Sequence, residues 1–313
     1  MKNIFLVIIS ICFFTLKASE MLISYSYEAG NLVQDSIYNW EETPKLIPPK
    51  EYLKRKNSGK MEPIATSSGV VQAKFQNSVY IWEDIPYAKP PTGNLRWKAP
   101  RKIKPNSKII YPKTNNFCIQ RTSNFGGSSD FSDETISGNE DCLYLDIYAP
   151  LNKSNKSLPV MFWIHGGGNT SGLKDLYDFK KLVKKHDVIV VTINYRLGPF
   201  GWFTHPAIQS FQKDIDKSSN FGTLDIIAAL KWVKENIKLF GGNSNNITIF
   251  GESAGGHNVL SLLVSKKADG LFHKAISMSG YTTSISVEDS YKQANQSFSS
   301  AYTSWEIVNK IIK

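Results

Sequence analysis

Ile247-Thr248-Ile249-Phe250-Gly251-Glu252-Ser253-Ala254-Gly255 reads as a short, apolar strand running directly into G-x-S-x-G, and the residues after it, to Val264, read as a helix. Such an apolar, β-branched run has the length and composition of a strand buried on both faces. A serine at a strand-to-helix junction sits on a sharp, strained turn that lifts its hydroxyl clear of the end of the sheet. Gly251 and Gly255 belong there because a Cβ at either position would collide with the neighbouring strand and helix. The helix turns its N-terminus toward the serine, where partial positive charge favours an anion. Ser253 is therefore the candidate nucleophile.

The same pattern recurs along the chain. Pro159–Ile164 and Val188–Ile193 are β-branched apolar runs of buried-strand length, and Phe272–Met278 reads as one more strand. Between them, Thr223–Leu239 is predicted to be a helix whose Ile226, Leu230, Val233 and Ile237 fall on one face, with Gly241-Gly242 as its stop. Val79–Trp82 reads as a strand, Ile85–Gly93 as a proline-stiffened loop, and Leu143–Tyr148 as a half-buried strand halted by Pro150. Strands alternating with helices predict an α/β fold with a mostly parallel, doubly wound sheet. Phe272–Met278 is the last strand the sequence offers. The sheet is expected to be incomplete at its C-terminal edge, with a partner or missing segment covering residues 272–278.

His165-Gly166-Gly167-Gly168 follows the strand that ends at Ile164. Successive glycines let backbone N–H groups turn toward a developing oxyanion without side-chain obstruction. With the N–H of Ala254 they would hold the tetrahedral oxygen of an acyl transfer. A phosphate cradle is disfavoured, because no GxxxxGK[ST] or GxGxxG is present.

The chain has 313 residues, 41% hydrophobic and 20% charged, which excludes a wholly disordered chain or a collagen-like repeat. Its net charge of +10 comes from scattered lysines with no basic stripe, so a solvated surface is expected and a nucleic-acid partner is not. Lys2 followed by the apolar run Ile4–Leu16 reads as a secretory signal peptide over residues 1–19, with a poor cleavage site and too few apolar residues to span a membrane comfortably. Residues 20–62, polar and rich in tyrosine and proline, read as a linker or pro-segment, and residues 63–313 as the globular part. The product is expected outside the cell with no stable membrane span. Cys12 would leave with the leader, and Cys118 and Cys142 would then be a pair or two free thiols. Without a CxxC or Cys/His cluster no zinc site is expected, and no other metal or cofactor is called for.

Five ordered blocks carry a resemblance: IPYAKPPTGNLRWKAP (85–100), EDCLYLDIYAP (140–150), the HGGG segment, NYRLGPFG (194–201) and FGGNSNNITIFGESAG (240–255). From about Ile64 to Gly280 the chain resembles the type-B carboxylesterases, the cholinesterase and carboxylesterase group of the α/β-hydrolase fold. The resemblance implies Ser253 as nucleophile, Gly166, Gly167 and Ala254 as oxyanion donors, and a Cys118–Cys142 disulfide. It also implies an acidic neighbour, Glu252, that either tunes charge in the pocket or is buried structurally by hydrogen bonds. The sequence departs from the family pattern at Asp84, where glycine is usual, at Ile226, where glutamine is usual, and at His257-Asn258, where small residues are common. The loop from Cys118 to Cys142 has no tryptophan to bind a quaternary ammonium, which argues against acetylcholine as substrate.

A serine needs a base, and the base needs an orienting acid. In this fold both follow the serine in the chain, yet after Ser253 the only histidines are His257 and His273. His165 reads as scaffold, His186 and His205 as loop residues, His257 as packing on the helix, and His273 as surface. The expected function is a secreted serine carboxylic-ester hydrolase acting on a small ester. The alternative is a truncated or non-catalytic esterase-like protein that works by binding or adhesion. Asn152, Asn155, Asn169, Asn246 and Asn295 stand in glycosylation sequons.

Overall fold

The computed structural model describes residues 5–9, 62–114, 116–122, 136–151, 157–290 and 308. In chain order its strands are β1 (Phe5–Ile9), β2 (Ile64–Thr66), β3 (Gly69–Val71), β4 (Lys74–Gln76), β5 (Val79–Pro86), β6 (Gln120–Arg121), β7 (Ile136–Ser137), β8 (Tyr144–Pro150), β9 (Leu158–Ile164), β10 (Ile189–Ile193), β11 (Gly242–Glu252) and β12 (Lys274–Met278). The helices are α1 (Lys180–His186), α2 (Gly198–Gly201), α3 (Pro206–Phe211), α4 (Phe221–Asn236), α5 (Ala254–Val264) and α6 (Val287–Ser290). Eight strands form one sheet in the order β1-β12-β11-β9-β10-β8-β5-β4, and β2-β3 and β6-β7 are separate ribbons. From β1 to β10 every pairing is parallel, and from β10 through β8 and β5 to β4 every pairing is antiparallel. This is the mixed, mostly parallel α/β-hydrolase sheet.

The apolar runs explain the layers. Alternate residues of β9 face opposite sides: Val160, Phe162 and Ile164 join one core, while Trp163 joins the other with Val190, Phe250 and Val183 of α1. Helices α4 and α5 cover the first side. Ile226, Leu230, Val233 and Ile237 are completely buried, as their spacing predicts. The helix of α4 ends at Asn236, three residues before the predicted end, because Ile237–Phe240 tightens into a 3-10 turn closed by left-handed Gly241. Arg196, just beyond β10, holds α4 by a fork of two 2.7 Å hydrogen bonds to buried Asp225.

Several expectations need correcting. The strand predicted at Leu143–Tyr148 runs from Tyr144 to Pro150 and is buried along its whole length, not half-buried, because β10 and β5 flank it and both faces are covered. Its polar Asp146 is met by Lys174 rather than by solvent. Strand β5 continues into the predicted loop as far as Pro86, and β12 begins only at Lys274. The far edge of β12, expected to be covered by a partner or missing segment, is paired with β1 of the same chain in parallel register, Phe5 opposite Lys274 and Ile9 opposite Met278. Part of the run read as a leader thus supplies the missing ladder partners. Residues 10–61, with the rest of that leader and nearly all of the 20–62 segment, lie outside the described residues, as do Asn152, Asn155, Asn295 and all of the tail after Ser290 except residue 308. No helix among the described residues is long and apolar enough to cross a membrane.

Candidate active site

Ser253 stands between β11 and α5 at φ 54° and ψ −121°, a backbone state that a non-glycine residue adopts only under constraint. Two hydrogen bonds supply that constraint. Its N–H donates to the Met278 carbonyl at 2.9 Å, and its carbonyl accepts from the His257 N–H at 3.0 Å, the first bond of α5. The glycine requirement is equally concrete. A Cβ on Gly255 would lie 2.0 Å from the Ile164 carbonyl oxygen, so the helix can approach the end of β9 only without a side chain.

That approach brings the two motifs together. A Cβ on Gly166 would lie 3.3 Å from Ser253 Cβ and 2.8 Å from the Glu252 carbonyl oxygen, so the glycine loop abuts the serine turn. Ala254 is the first residue of α5, where an N–H has no acceptor within the helix, and it is fully buried. The Gly167 carbonyl accepts from the N–H groups of Thr170 and Ser171, both at 3.0 Å, and so closes the loop into a turn. Farther along, Gln120 clamps Gly172 in both directions: Nε2 donates to the Gly172 carbonyl at 3.0 Å and Oε1 accepts its N–H at 2.8 Å. The disulfide Cys118–Cys142 lies two residues before Gln120 and ties that clamp to the start of β8.

Glu252 is half-buried, and burial raises its carboxyl above the ordinary range. Its carboxylate has no hydrogen-bond or ion-pair partner among the described residues. Tyr177 is also raised, first by burial and then by the Glu252 charge, which puts its phenol beside the same carboxylate.

None of the five histidines hydrogen-bonds Ser253 Oγ among the described residues. His165 is wholly buried, its ring stacked on Tyr195 at 4.3 Å, with Nδ1 2.9 Å from the Gly166 carbonyl and Nε2 without a partner. Burial pushes its pKa down to about 4, against a smaller upward pull from the Gly166 carbonyl, so it is neutral scaffold at pH 7. His257 stacks on Tyr281 and lies with Nδ1 2.6 Å from its carbonyl. His205 caps α3, His273 accepts from the Ile247 N–H at 3.1 Å, and His186 is exposed at the end of α1.

Sequence reasoning missed two groups that support this site. Buried Lys174 donates to Asp146 and Asp175 at 2.8 Å and pairs with Asp84 at 2.9 Å, while its N–H donates to Asn194 Oδ1. An aspartate in a glycine position and a lysine in the loop after the glycines were the available signals. The second group is Tyr195, Asn169 and Asn258. The Tyr195 hydroxyl donates to the His165 carbonyl at 2.7 Å, and Asn258 Nδ2 donates to Asn169 Oδ1 at 2.8 Å. No group of three or more His, Cys, Asp or Glu among the described residues could hold a metal ion.

The family model described as Carboxylesterase family matches residues 62–306. The chain is 52% identical over 151 residues to the para-nitrobenzyl esterase of Bacillus subtilis (strain 168), covering 48% of this chain and 30% of that protein. It is 49% identical over 147 residues to the cocaine esterase of Oryctolagus cuniculus, covering 47% and 26% respectively. Among solved structures it matches a thermophilic PNB esterase with a TM-score of 0.63 and 41% identity, over 72% of this chain and 46% of that one. A Geobacillus stearothermophilus carboxylesterase matches with a TM-score of 0.59 and 37% identity, over 68% and 42%. The matched stretches thus span less than half the length of these relatives.

Proposed function

The chain belongs to the carboxylesterase family, and from that membership we propose that it is a serine carboxylic-ester hydrolase with Ser253 as its nucleophile. In this reading Ser253 Oγ gives its proton to a general base, which no hydrogen bond to Oγ identifies among the described residues, attacks the ester carbonyl carbon and forms a tetrahedral intermediate. The N–H groups of Gly166, Gly167 and Ala254 take the negative oxygen, the base returns the proton to the departing alcohol, and water, giving its proton to the same base, releases the acid from the acyl-serine. The observation that carries the reading is the strained Ser253 turn pressed against Gly166, which puts the serine beside the glycine amides. Glu252, raised by burial, would add a titratable charge next to that turn. The substrate is a small-molecule ester. The Cys118–Cys142 disulfide supports secretion into an oxidising compartment.

A second reading, an esterase-like protein that binds without turnover, is favoured by one observation: no imidazole among the described residues reaches Ser253. A fluorophosphonate probe separates the two, because it reacts only with an activated serine. The full-length protein should label at Ser253, and Ser253→Ala should abolish the signal. Folded protein that never labels would favour the binding reading.

A further inference from the structure

Asn258 lies one turn into α5 and is 1% exposed, an expensive place for an amide unless its hydrogen bonds are satisfied. Its partner lies on the opposite side of the site: Nδ2 donates to Asn169 Oδ1 at 2.8 Å. Asn169 follows Gly168 directly and is held in the left-handed region at φ 58°, with its carbonyl accepting from the Gly198 N–H at 2.7 Å. The Tyr195 hydroxyl in turn donates to the carbonyl of His165, the residue before Gly166, and lies 3.3 Å from Asn169 Oδ1. The glycine run Gly166–Gly168 is thus bracketed by His165, held by the Tyr195 hydroxyl, and by Asn169, which Asn258 ties to the helix that follows Ser253.

We propose that Asn258 is a positioning residue that holds the oxyanion loop in register with Ser253, through its hydrogen bond to Asn169, whose Oδ1 also lies 3.3 Å from the Tyr195 hydroxyl. The assignment rests on the proposed role of Gly166 and Gly167 in binding the oxyanion. The neighbouring positions show why the work falls to a polar residue at 258. Gly166 abuts Ser253 and Gly255 of α5 packs on the Ile164 and His165 carbonyls, contacts with no side chains to interlock, so a polar tether just beyond the glycines is what fixes the loop against α5. Asn169 is that residue, and Asn258 is its partner on the element that carries the nucleophile.

Hydrogen exchange and inactivation kinetics on the full-length protein test this together. Asn258→Ala is expected to speed amide exchange across residues 166–171 roughly tenfold, the worth of one good hydrogen bond, while exchange in β9 and β10 stays unchanged. It is also expected to lower the maximal rate of fluorophosphonate inactivation with the probe's binding constant unchanged. A side chain that merely fills space would not produce that split. Asn169→Gly removes the same bond from the loop side without touching α5, keeps the left-handed backbone, and supplies the answer should Asn258→Ala fail to fold. Unchanged exchange at 166–171 in the folded variants would overturn the proposal, as would weaker probe binding at an unchanged maximal rate. If wild-type protein labels no better than Ser253→Ala, the hydrolase reading falls, and the exchange data alone decide whether Asn258 holds the loop.

Discussion

At its start the loop that leaves β9 is held by neutral groups: the buried His165 ring, the Tyr195 hydroxyl and the Asn169–Asn258 amide pair. At Lys174, farther along the same loop, it is held by charge, one ammonium among Asp84, Asp146 and Asp175. Both ends are buried and both bond to the strands beneath them, so the difference is not one of depth. It follows what each end stands beside. The neutral end abuts Ser253, where an ester oxygen would become negative, and the carboxyl beside it, half-buried Glu252, is pushed by burial toward its uncharged form. The far end is anchored on Asp84 of β5 and Asp146 of β8 and uses charge. It carries more negative than positive charge. Burial pushes Asp146 well above its ordinary range despite Lys174. Desolvation also acts upward on Asp175, but Lys174 and the Asp146 hydrogen bond outweigh it and hold that carboxyl low.

The largest effect should come from taking away the single cation. Lys174→Met would leave Asp84 and Asp146 buried with no positive partner, which is expected to cost about 3–5 kcal/mol of folding stability. Urea denaturation at pH 7 reads it directly. The loss should shrink as pH falls, because protonated carboxyls no longer need the ammonium. A loss below 1 kcal/mol would mean that water, not Lys174, satisfies these carboxylates, and the contrast between the two ends would collapse.

The neutral end predicts the opposite pH behaviour. His165 falls from an unfolded value of 6.5 to about 4 in the folded chain, so the folded state resists its protonation. Stability from the neutral ring is fully present above pH 6.5 and is lost as pH falls toward 4, to a depth of about 3 kcal/mol. Unfolding midpoints between pH 7 and 4 should therefore drop steeply in the wild type. In His165→Gln, whose side chain does not titrate, that part of the slope should vanish whatever the variant's stability at pH 7. Equal slopes would show that His165 titrates normally and is not the neutral scaffold inferred from its burial.

How much of this was legible in the sequence divides along the same line. The Ser253 turn, the glycine loop and the parallel strands were readable because each is local: an apolar run, a glycine at a fixed offset, a helix face at 3.6-residue spacing. Gly166 lies against Ser253, and Ala254 follows the serine as the first residue of α5. What was not legible depends on long-range pairing. Leu143–Tyr148 alternates like a half-exposed strand, and only its neighbours in the sheet reveal that Asp146 points at a lysine instead of at water. Asn258, marked only as a departure where small residues are common, and Asn169, marked only as a sequon, are far apart in sequence, and nothing local pairs them. The pairing of β1 with β12 was unreadable for the same reason, since a run that is apolar throughout carries no period to mark which edge it joins.

The smallest effect tests whether the excess of negative charge at the far end matters. Asp84 accepts from the Lys113 N–H at 2.8 Å as well as from Lys174 and Asn116, and its own N–H donates to Asp146 at 2.8 Å. Its backbone is left-handed at φ 57°, which asparagine tolerates nearly as well as aspartate. Asp84→Asn therefore preserves shape and backbone and removes one charge from a group that has two other anions for its single cation. Losing a charge-assisted bond to Lys174 destabilises, relieving repulsion between Asp84 and Asp146 stabilises, and the net cost should be about 1 kcal/mol or less. The same change should lower the Asp146 pKa, because one of the charges raising it is gone, so the stability of the variant should fall less as pH rises than that of the wild type. A cost equal to that of Lys174→Met would instead identify Asp84 as the counter-ion on which the loop depends, with Asp146 and Asp175 as bystanders.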